Sequence, residues 1–379
     1  MKVLQLGKYY APYRGGMETH LSGLCEELKG RVELEVLVSN TAPHTVHEVV
    51  HGVPVTRCAE VVKVASTSLN PTLPLELSRR RYELLHMHFP HPMAVMAYLG
   101  SVRPRRHGLV ITYHSDVVRQ KRLLTLYGPF MQRALARADA ILVGSPNYVE
   151  SSEALRPHRD RCHVVPFGID TTRFALTPGR EAAAAAVRAR YGGAPLLMGV
   201  GRLVYYKGFE YAIRALRYVD GAHLLLVGEG PLRAQLETLA RASGVAGRVH
   251  FLGRLEDEAL VALYYACDAY VLPSVTRAEA FALVQLEALA CGLPVINTAL
   301  DSGVPFVSRH EESGLTVPPG DEAALAEAMR RMLAHPEQRR AWGEAGRARV
   351  RSEFSQARMG ERVLGVYQEV LAHVGHRAA

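Results

Sequence analysis

The chain has 379 residues, of which 48% are hydrophobic and 22% are charged. That length exceeds what one hydrophobic core usually organises, so it predicts two domains. The composition excludes a disordered, collagen-like or disulfide-scaffold protein. No apolar run in the sequence approaches the roughly 20 residues of a membrane-spanning helix. The N-terminus lacks a signal-peptide pattern and the five cysteines form no CxxC pair, so we expect a cytoplasmic protein with reduced thiols and no structural zinc.

Positive charge is concentrated in one part of the chain. Residues 79–137 carry eleven Lys and Arg side chains and two acidic ones, a net charge of +9, whereas the whole chain carries +8. An excess confined to one stretch indicates an anionic partner, and the alternative is a basic face that is simply solvated. We expect an anionic membrane surface at which the protein is peripheral, or an anionic substrate. Nucleic acid is not expected, because the stretch lacks an aromatic platform for bases.

The first half of the chain alternates short apolar runs with helical patterns. The runs are uniformly apolar, which is typical of buried parallel strands, and they span residues 3–7, 34–39, 84–89, 109–114, 140–145 and 163–167. A helical pattern at 16–29 follows the first of them. This half therefore predicts a doubly wound α/β domain over residues 1–170.

The second half repeats the scheme. Its candidate strands are residues 196–201, 223–228, 249–252, 269–273 and 294–297, and its helical patterns are 209–218, 232–243, 257–265, 283–290 and 322–334. They predict a second doubly wound domain over 195–357, after a linker at 171–194 that is rich in Pro, Gly and Ala. Ligands of such sheets bind at the carboxyl ends of the strands, so we expect a site in a cleft between the two domains.

The first domain carries weak motifs at its strand ends. Gly15 and Gly16 enter a helix, where backbone N–H groups can approach a phosphate, but no GxGxxG suggests a dehydrogenase. His114 follows a strand and should face the ligand, with Asp116 orienting it or binding a hydroxyl. A Ser-His-Asp hydrolase is excluded because no GxSxG occurs. For the histidines of HMHFPH (86–91) we favour packing over metal ligation, since no acidic or Cys partner is near in sequence.

The second domain carries the stronger pattern. Arg202 and Lys207 lie on the loop after its first strand, where two cations can flank a diphosphate. Glu279 lies in a loop and Glu287 about two turns into the following helix, whose N-terminus can bind anionic oxygen. This arrangement suits a ligand that has a central anion and a hydroxyl-bearing group on each side. A nucleotide sugar is such a ligand, with its diphosphate between the ribose and the hexose.

Together, GRLVYYKG (201–208), GEGP (228–231), EAFALVQLEALACGLPV (279–295) and the early Gly15-Gly16 resemble the family 4 retaining glycosyltransferases over nearly the whole chain. TYHSDVVRQKRLL and NTALDSGVPFVSRHEESGLTVPPGD resemble the branch that builds bacterial polysaccharide and O-antigen chains. The resemblance implies an α/β protein of the GT-B fold, with two doubly wound Rossmann-like domains facing across a cleft and a last helix, 358–379, crossing back onto the first domain.

The resemblance also implies an activity: retaining transfer of a hexose from a nucleotide-diphosphate sugar to a saccharide or lipid-linked acceptor. The donor expected is of the GDP-mannose or GDP-rhamnose type, with a UDP-sugar as the alternative. It assigns catalytic roles to His114, Arg202, Lys207 and Glu279, and donor contacts to Gly16, Glu229, Gly230, Pro231, Gly253, Arg254, Phe281, Ala282, Leu283 and Glu287. Gly15 and Asp116 fall on the acceptor side.

Two features qualify this assignment. Family members often have glycine where this chain has Ala280 and Ala282, which leaves the donor sugar open. No DxD occurs, so we expect neither a metal nor a resident cofactor. The alternatives are a sugar-nucleotide epimerase or hydrolase, a sugar phosphorylase on the same fold, or a non-catalytic nucleotide-sugar-binding protein.

Overall fold

The computed structural model describes residues 1–13, 15–64, 67–101, 107–116 and 121–378. The chain divides into two compact units, the first formed by Met1–Gly168 with Gln356–Ala379 and the second by Ile169–Ser355. The sequence predicts boundaries at 170 and 357. The segment 171–194, predicted as a linker with one short helix, belongs to the second unit, where the helix Pro178–Arg190 packs against the helix Asp257–Ala266.

The described strands are β1 (Lys2–Leu6), β2 (Glu33–Ser39), β3 (Val46–Val50), β4 (Val53–Cys58), β5 (Val62–Val64), β6 (Thr67–Leu69), β7 (Leu84–Phe89), β8 (Gly108–Tyr113), β9 (Ala140–Val143), β10 (Cys162–Val164), β11 (Leu196–Val200), β12 (His223–Val227), β13 (Val249–Gly253), β14 (Ala269–Val271), β15 (Val295–Thr298) and β16 (Gly314–Val317).

The described α-helices are α1 (Gly16–Leu28), α2 (Leu73–Arg79), α3 (Pro92–Gly100), α4 (Lys121–Arg137), α5 (Pro146–Ser151), α6 (Pro178–Arg190), α7 (Phe209–Ala215), α8 (Arg233–Ala242), α9 (Asp257–Ala266), α10 (Leu283–Ala290), α11 (Val304–Val307), α12 (Glu322–Ala334), α13 (Pro336–Glu353) and α14 (Gln356–Ala378). Among the described residues, none of these helices is both long and apolar enough to cross a membrane.

The first unit is built on a sheet with strand order β10-β9-β8-β7-β1-β2-β4-β3. Its pairs are parallel except β3 with β4. Every residue of β7 and β8 is buried, so both faces of these strands are covered, and their sequences are mainly apolar except for His86 and His88. The final helix α14 belongs to this unit. It packs on α1 and β8 and adds Met359, Val363 and Tyr367 to the core.

The second unit is built on a parallel sheet with order β13-β12-β11-β14-β15-β16. The strand order reverses beside β11, between β12 and β14. Such a reversal separates neighbouring loops at the carboxyl edge and opens a crevice for a ligand. The loops that follow β11, β12, β13 and β14 therefore surround one position, and they carry the predicted donor residues.

One helix of the first unit differs from expectation. The pattern Gly128-Pro129 predicts a break, yet α4 runs continuously through Pro129. Of the basic stretch 79–137, Arg103, Arg105, Arg106 and Arg119 lie outside the described residues, as do the side chains of Lys121 and Arg122. The five cysteines are all free, as the sequence predicts.

Candidate active site

The loop after β11 folds back on itself because of two glycines with positive φ. At Gly201 (φ +148°), an added Cβ would lie 2.8 Å from Cε of Lys207. At Gly208 (φ +64°), an added Cβ would collide with the carbonyl oxygen of Pro273. A short 3-10 turn, Tyr205–Lys207, lies between them. The absence of a side chain at Gly201 thus leaves room for the stem of Lys207, and its absence at Gly208 lets this loop approach the backbone of Pro273.

Lys207 forms a buried ion pair with Glu279. The Lys207 Nζ lies 2.7 Å from Glu279 Oε2, and Ser274 donates a hydrogen bond of 3.0 Å from Oγ to the same oxygen. The two charged residues are only 6% and 7% exposed. Thr298 in turn donates to the carbonyl of Ser274 at 2.6 Å, which fixes the loop after β14. The sequence predicts Lys207 and Glu279 as site residues, but not that they pair or that Ser274 holds them.

Arg202, the second predicted diphosphate ligand, is exposed. Burial raises the pKa of the nearby Tyr206 hydroxyl, and the charges of Lys207 and Arg202 oppose that shift. The loop thus presents one exposed cation and one buried, paired cation. This is a suitable arrangement for an anion that approaches from solvent.

The predicted base-framing loops are joined to the β11 loop by backbone hydrogen bonds. Leu203 N donates to the Glu229 carbonyl at 2.9 Å, and Gly228 N donates to the Gly253 carbonyl at 2.7 Å. A Cβ on Gly230 would collide with the backbone of Leu203. The loops therefore form one continuous surface, with Glu229, Pro231 and Arg254 exposed on it.

Helix α10 begins at Leu283 with an unusual cap. Ala282 has φ +60° and ψ +73°, a left-handed conformation that strains any residue with a Cβ, and no side chain caps the helix. Gly303 N donates to the Ala280 carbonyl at 2.7 Å, and Gln285 Nε2 donates to the Phe281 carbonyl at 3.3 Å. The first-turn N–H groups of a helix have no intrahelical partner, so this N-terminus is suited to anionic oxygen.

Glu287 lies on the same helix, beside a small cavity. Tyr264 donates to Glu287 Oε2 at 2.8 Å, and burial raises the pKa of the Glu287 carboxyl. The cavity has a volume of about 180 Å³, and Glu287 lines it together with Arg173 and Asp257, which form an ion pair at 2.6 Å. The sequence gives no signal for Tyr264, because its role depends on α9 packing beside α10.

In the first unit, His114 is 7% exposed and lies among other buried histidines. Its Nε2 is 3.1 Å from Nδ1 of His88, and the ring of His20 packs edge-on against it with centroids 4.8 Å apart. The ligand nitrogens of these three histidines lie within 4.8 Å of one another. Both ring nitrogens of His88 already take part in hydrogen bonds, to His114 and to Gln5, which leaves His88 no free lone pair for a metal.

Asp116 is not the partner of His114. Its Oδ1 accepts hydrogen bonds from the hydroxyls of Tyr113 (2.7 Å) and Ser152 (2.8 Å), and its backbone N–H donates to Tyr148 (2.7 Å). Of the two roles expected for Asp116, orienting His114 does not agree with these bonds, and binding a hydroxyl of the acceptor stays a prediction. The side chain that contacts His114 is His88 on β7. It lies two residues after His86 and therefore on the same face of the sheet.

Gly15 and Gly16 lie at the start of α1, as predicted, and Gly15 is its N-cap. A Cβ on Gly15 would collide with the carboxylate of Glu18, which is buried and whose pKa burial raises. The helix start thus has an acid beside it. Glu18 is a candidate site residue that the sequence motif did not single out.

Two doubly wound units, one of which gathers two cations, two carboxylates and a helix N-terminus at its carboxyl edge, are the architecture of a GT-B glycosyltransferase. Solved structures agree on the fold. Sucrose-phosphate synthase from Thermosynechococcus elongatus superposes with a TM-score of 0.81 at 24% identity, covering 98% of this chain and 100% of that chain. Anabaena HepE in complex with UDP-glucose gives 0.79 at 18%, covering 97% and 100%.

Sequence comparison gives the family. Residues 14–173 match Glycosyltransferase Family 4, and residues 182–349 match Glycosyl transferases group 1. D-rhamnosyltransferase WbpZ of Pseudomonas aeruginosa is 34% identical over 94% of this chain and 92% of its own length. O-antigen chain mannosyltransferase C of Escherichia coli is 32% identical over 98% and 99%. The chain belongs to glycosyltransferase family 4 and is a glycosyltransferase.

Proposed function

We propose that the chain is a retaining hexosyltransferase that takes its sugar from a GDP-hexose of the mannose or rhamnose type. The observation that carries the proposal is the buried Lys207–Glu279 pair, which lies between the loop after β11 and the N-terminus of α10. Full-length relatives are a D-rhamnosyltransferase and a mannosyltransferase of O-antigen chains, which supports the same sugars here and a role in cell-surface polysaccharide synthesis. A UDP-hexose is the alternative donor.

The proposed roles follow from the chemistry of each group. Arg202, Lys207 and the N–H groups at Phe281–Leu283 stabilise the charge that develops on the leaving diphosphate. Glu287 accepts the ribose hydroxyls, and Glu279 contacts the hexose. The exposed loops at 229–231 and 253–254 frame the base.

Retention requires that the acceptor enter on the face that the diphosphate leaves. We propose a same-face substitution through an oxocarbenium-like transition state. The bond from the anomeric carbon to the β-phosphate oxygen breaks, and a bond to the acceptor oxygen forms. The leaving phosphate oxygen takes the acceptor proton, so no protein carboxylate needs to become a covalent nucleophile. His114 accepts a hydrogen bond from a hydroxyl of the hexose.

Charge neutralisation by Arg202, Lys207 and helix N–H groups makes a divalent cation unnecessary in this proposal. The test is transfer activity after exhaustive EDTA treatment. Full activity supports the proposal, and activity that is lost and then restored by Mg²⁺ or Mn²⁺ overturns this part of it.

For the acceptor we propose a saccharide or lipid-linked saccharide met at an anionic membrane surface. The first unit exposes apolar side chains on three helices that pack side by side, α2, α3 and α4: Leu75, Met96, Leu126 and Phe130 are 48%, 43%, 74% and 42% exposed. They lie within or beside the basic stretch 79–137, and basic surfaces with apolar side chains bind at lipid headgroups.

Liposome co-sedimentation tests this surface. Binding should require anionic lipid, fall with rising salt, and weaken when Leu126 and Phe130 become Ser. Leu176→Ser is the matched control, because Leu176 is 51% exposed but lies in the second unit. Equal binding to neutral liposomes, or an equal loss in the control, rejects the surface.

The donor is tested by thermal shift with GDP, UDP and ADP and their hexoses, followed by turnover. A ligand that binds only the folded state raises the melting temperature by mass action, so we expect the largest shift with GDP. No shift with any nucleotide would reject the site. Sugar release without acceptor indicates a hydrolase, and dependence on inorganic phosphate indicates a phosphorylase.

A further inference from the structure

A chain of hydrogen bonds between buried side chains ends at His114. The Nε2 of His114 lies 3.1 Å from Nδ1 of His88, and Nε2 of His88 lies 3.0 Å from Oε1 of Gln5. Gln5 donates from Nε2 to the hydroxyl of Tyr367 at 2.9 Å, and that hydroxyl lies 2.5 Å from Nδ1 of His86. These five side chains belong to residues that are at most 7% exposed.

The fold explains why these side chains meet. β1, β7 and β8 are adjacent parallel strands, and Gln5 on β1 is paired in register with His86 on β7. His88, two residues further along β7, points to the same face of the sheet. Tyr367 reaches this face from α14, the helix that returns to the first unit at the end of the chain.

The chain of hydrogen bonds has a direction, which the amide of Gln5 sets. Because its Nε2 donates to Tyr367, its Oε1 is the atom that faces His88, so His88 must carry its proton on Nε2. Burial lowers the pKa of His88 and keeps the ring neutral, so its Nδ1 is a hydrogen-bond acceptor. His114 must then donate from Nε2, and its own Nδ1 keeps a free lone pair.

We propose that His88, Gln5 and Tyr367 are positioning residues that hold His114 with its proton on Nε2 and its Nδ1 lone pair presented to a hydroxyl of the hexose. The inference rests on the proposed function, which gives His114 that contact. A ring free to exchange tautomers would spend part of its time with an N–H at Nδ1. It would then meet the hydroxyl as a donor instead of an acceptor.

The proposal also gives the helix α14 a role. Tyr367 lies near the end of the sequence, yet its hydroxyl completes the bonding of Gln5. The last helix therefore does more than cover the sheet: it supplies the hydrogen-bond acceptor that orients the amide. Tyr367→Phe removes this hydroxyl and should therefore loosen the control over the tautomer of His114, which lies three hydrogen bonds away.

Steady-state kinetics with the full-length enzyme test the proposal. We expect His88→Leu to lower kcat roughly threefold to tenfold, the value of about one hydrogen bond between neutral groups, with the donor KM nearly unchanged. Gln5→Met and Tyr367→Phe should lower kcat in the same way by a smaller factor. His88→Asn should recover part of the loss, because an amide oxygen can take the position of the ring Nδ1.

His91→Leu is the matched control. His91 is as buried as His88, at 2% against 1%, and it lies three residues away. Among the residues that the structure describes, neither of its ring nitrogens has a hydrogen-bond partner. We expect kcat close to wild type. If His91→Leu and His88→Leu lower kcat equally, the effect is one of packing and the proposal is overturned. Tyr367→Phe, on a separate element, keeps the test open if His88→Leu fails to fold.

Nitrogen NMR of protein labelled with ¹⁵N-histidine reads the tautomer directly. In the wild type, the His114 signals, assigned through His114→Ala, should show the proton on Nε2, and His88→Leu should give a mixture. A wild-type proton on Nδ1 overturns the proposal.

If His114→Ala leaves kcat unchanged, the hexose contact assigned under the proposed function fails. If His114→Ala is inactive and His88→Leu is fully active, the positioning role alone fails.

Discussion

At the scale of single residues, the pair of Lys207 and Glu279 combines structural and catalytic demands. Removing one partner leaves a buried charge, so Lys207→Ala should destabilise the protein by about 3–5 kcal/mol and raise the barrier to transfer by about 2–4 kcal/mol. The double change Lys207→Met with Glu279→Gln removes both charges, so stability should largely return while turnover stays low. Chemical denaturation and single-turnover rates measure the two effects separately.

Arg233→Ala is the control for that experiment. Arg233 pairs with Glu237 at 2.8 Å, but the side chains are 42% and 36% exposed, so the loss should be below about 1 kcal/mol. Near-wild-type turnover in Lys207→Ala would contradict the assignment of Lys207 to the diphosphate.

Glu287 gives a pH-dependent prediction. As a carboxylate it accepts hydrogen bonds from hydroxyls through both oxygens, whereas protonation turns one oxygen into a donor, and burial raises its pKa above the ordinary 4.5. Donor affinity should therefore fall as the pH is lowered, beginning at a higher pH than for an exposed carboxylate. The hydrogen bond from Tyr264 opposes that shift, so Tyr264→Phe should move the loss of affinity to still higher pH. Calorimetric titration of the nucleotide, at pH values where melting curves show folded protein, measures it. An affinity that is independent of pH in both proteins would rule out the ribose role.

Residue type and position relative to the predicted strands led to Arg202, Lys207, Glu279 and Glu287. The structure places them on the loop after β11, on the loop before α10 and on α10 itself, and their roles stay predictions. Their partners could not be predicted in this way. Ser274 bonds to Glu279 within one irregular loop, whose conformation the sequence pattern does not give, and Tyr264 reaches Glu287 from a separate helix. Asp116 was expected either to orient His114 or to bind a hydroxyl, and its hydrogen bonds to Tyr113 and Ser152 could not be predicted from sequence spacing.

At the scale of elements, the start of α10 makes the clearest prediction. A residue with a Cβ in the left-handed conformation costs about 1–2 kcal/mol, and a glycine adds about 0.4–1 kcal/mol of chain entropy to the unfolded state. Ala282→Gly should therefore raise the free energy of unfolding by a few tenths to about 1 kcal/mol. Ala280→Gly is the control: φ is not positive there, so only the entropic loss remains. A free energy of unfolding lower in Ala282→Gly than in the wild type would contradict the claim that the backbone at Ala282 is strained.

The bounds of α10 and α12 agree with the sequence prediction to the residue, since apolar periodicity and adjacent turn residues mark both ends. The hairpin β3–β4 was missed. Its two-residue turn, His51-Gly52, has positive φ at both positions, but His in place of Asn or Asp hides the signal. The continuous α4 shows that tertiary contacts can keep a helix intact through Pro129.

At the scale of the whole molecule, the two units should respond differently to acid. In the first unit, burial lowers the pKa of His20, His86 and His91 to about 3, and also lowers those of His88 and His114. Unfolded histidine binds protons near pH 6.5, so between pH 6.5 and 3 the unfolded state binds more protons and stability falls as pH falls. Each of the five should cost about 2 kcal/mol between pH 7 and pH 5.

The stability lost through the five buried histidines together is comparable with the stability of a whole domain, roughly 5–15 kcal/mol. The first unit should therefore unfold before the second on acidification. The single tryptophan, Trp342, lies in α13 of the second unit, so its fluorescence reports that unit alone. Hydrogen exchange should show β1, β7 and β8 losing protection at a pH where Trp342 emission is still native. Simultaneous loss at both places would contradict the prediction.

The most direct measurement is NMR of a reaction that contains enzyme, a GDP-hexose and a saccharide acceptor ending in mannose or rhamnose. We expect one nucleoside diphosphate to be released for each new glycosidic bond, with the anomeric configuration of the donor kept in the product, and no such bond in the Lys207→Ala variant. A product of inverted configuration would contradict the retaining mechanism, and unchanged turnover in Lys207→Ala would contradict the site.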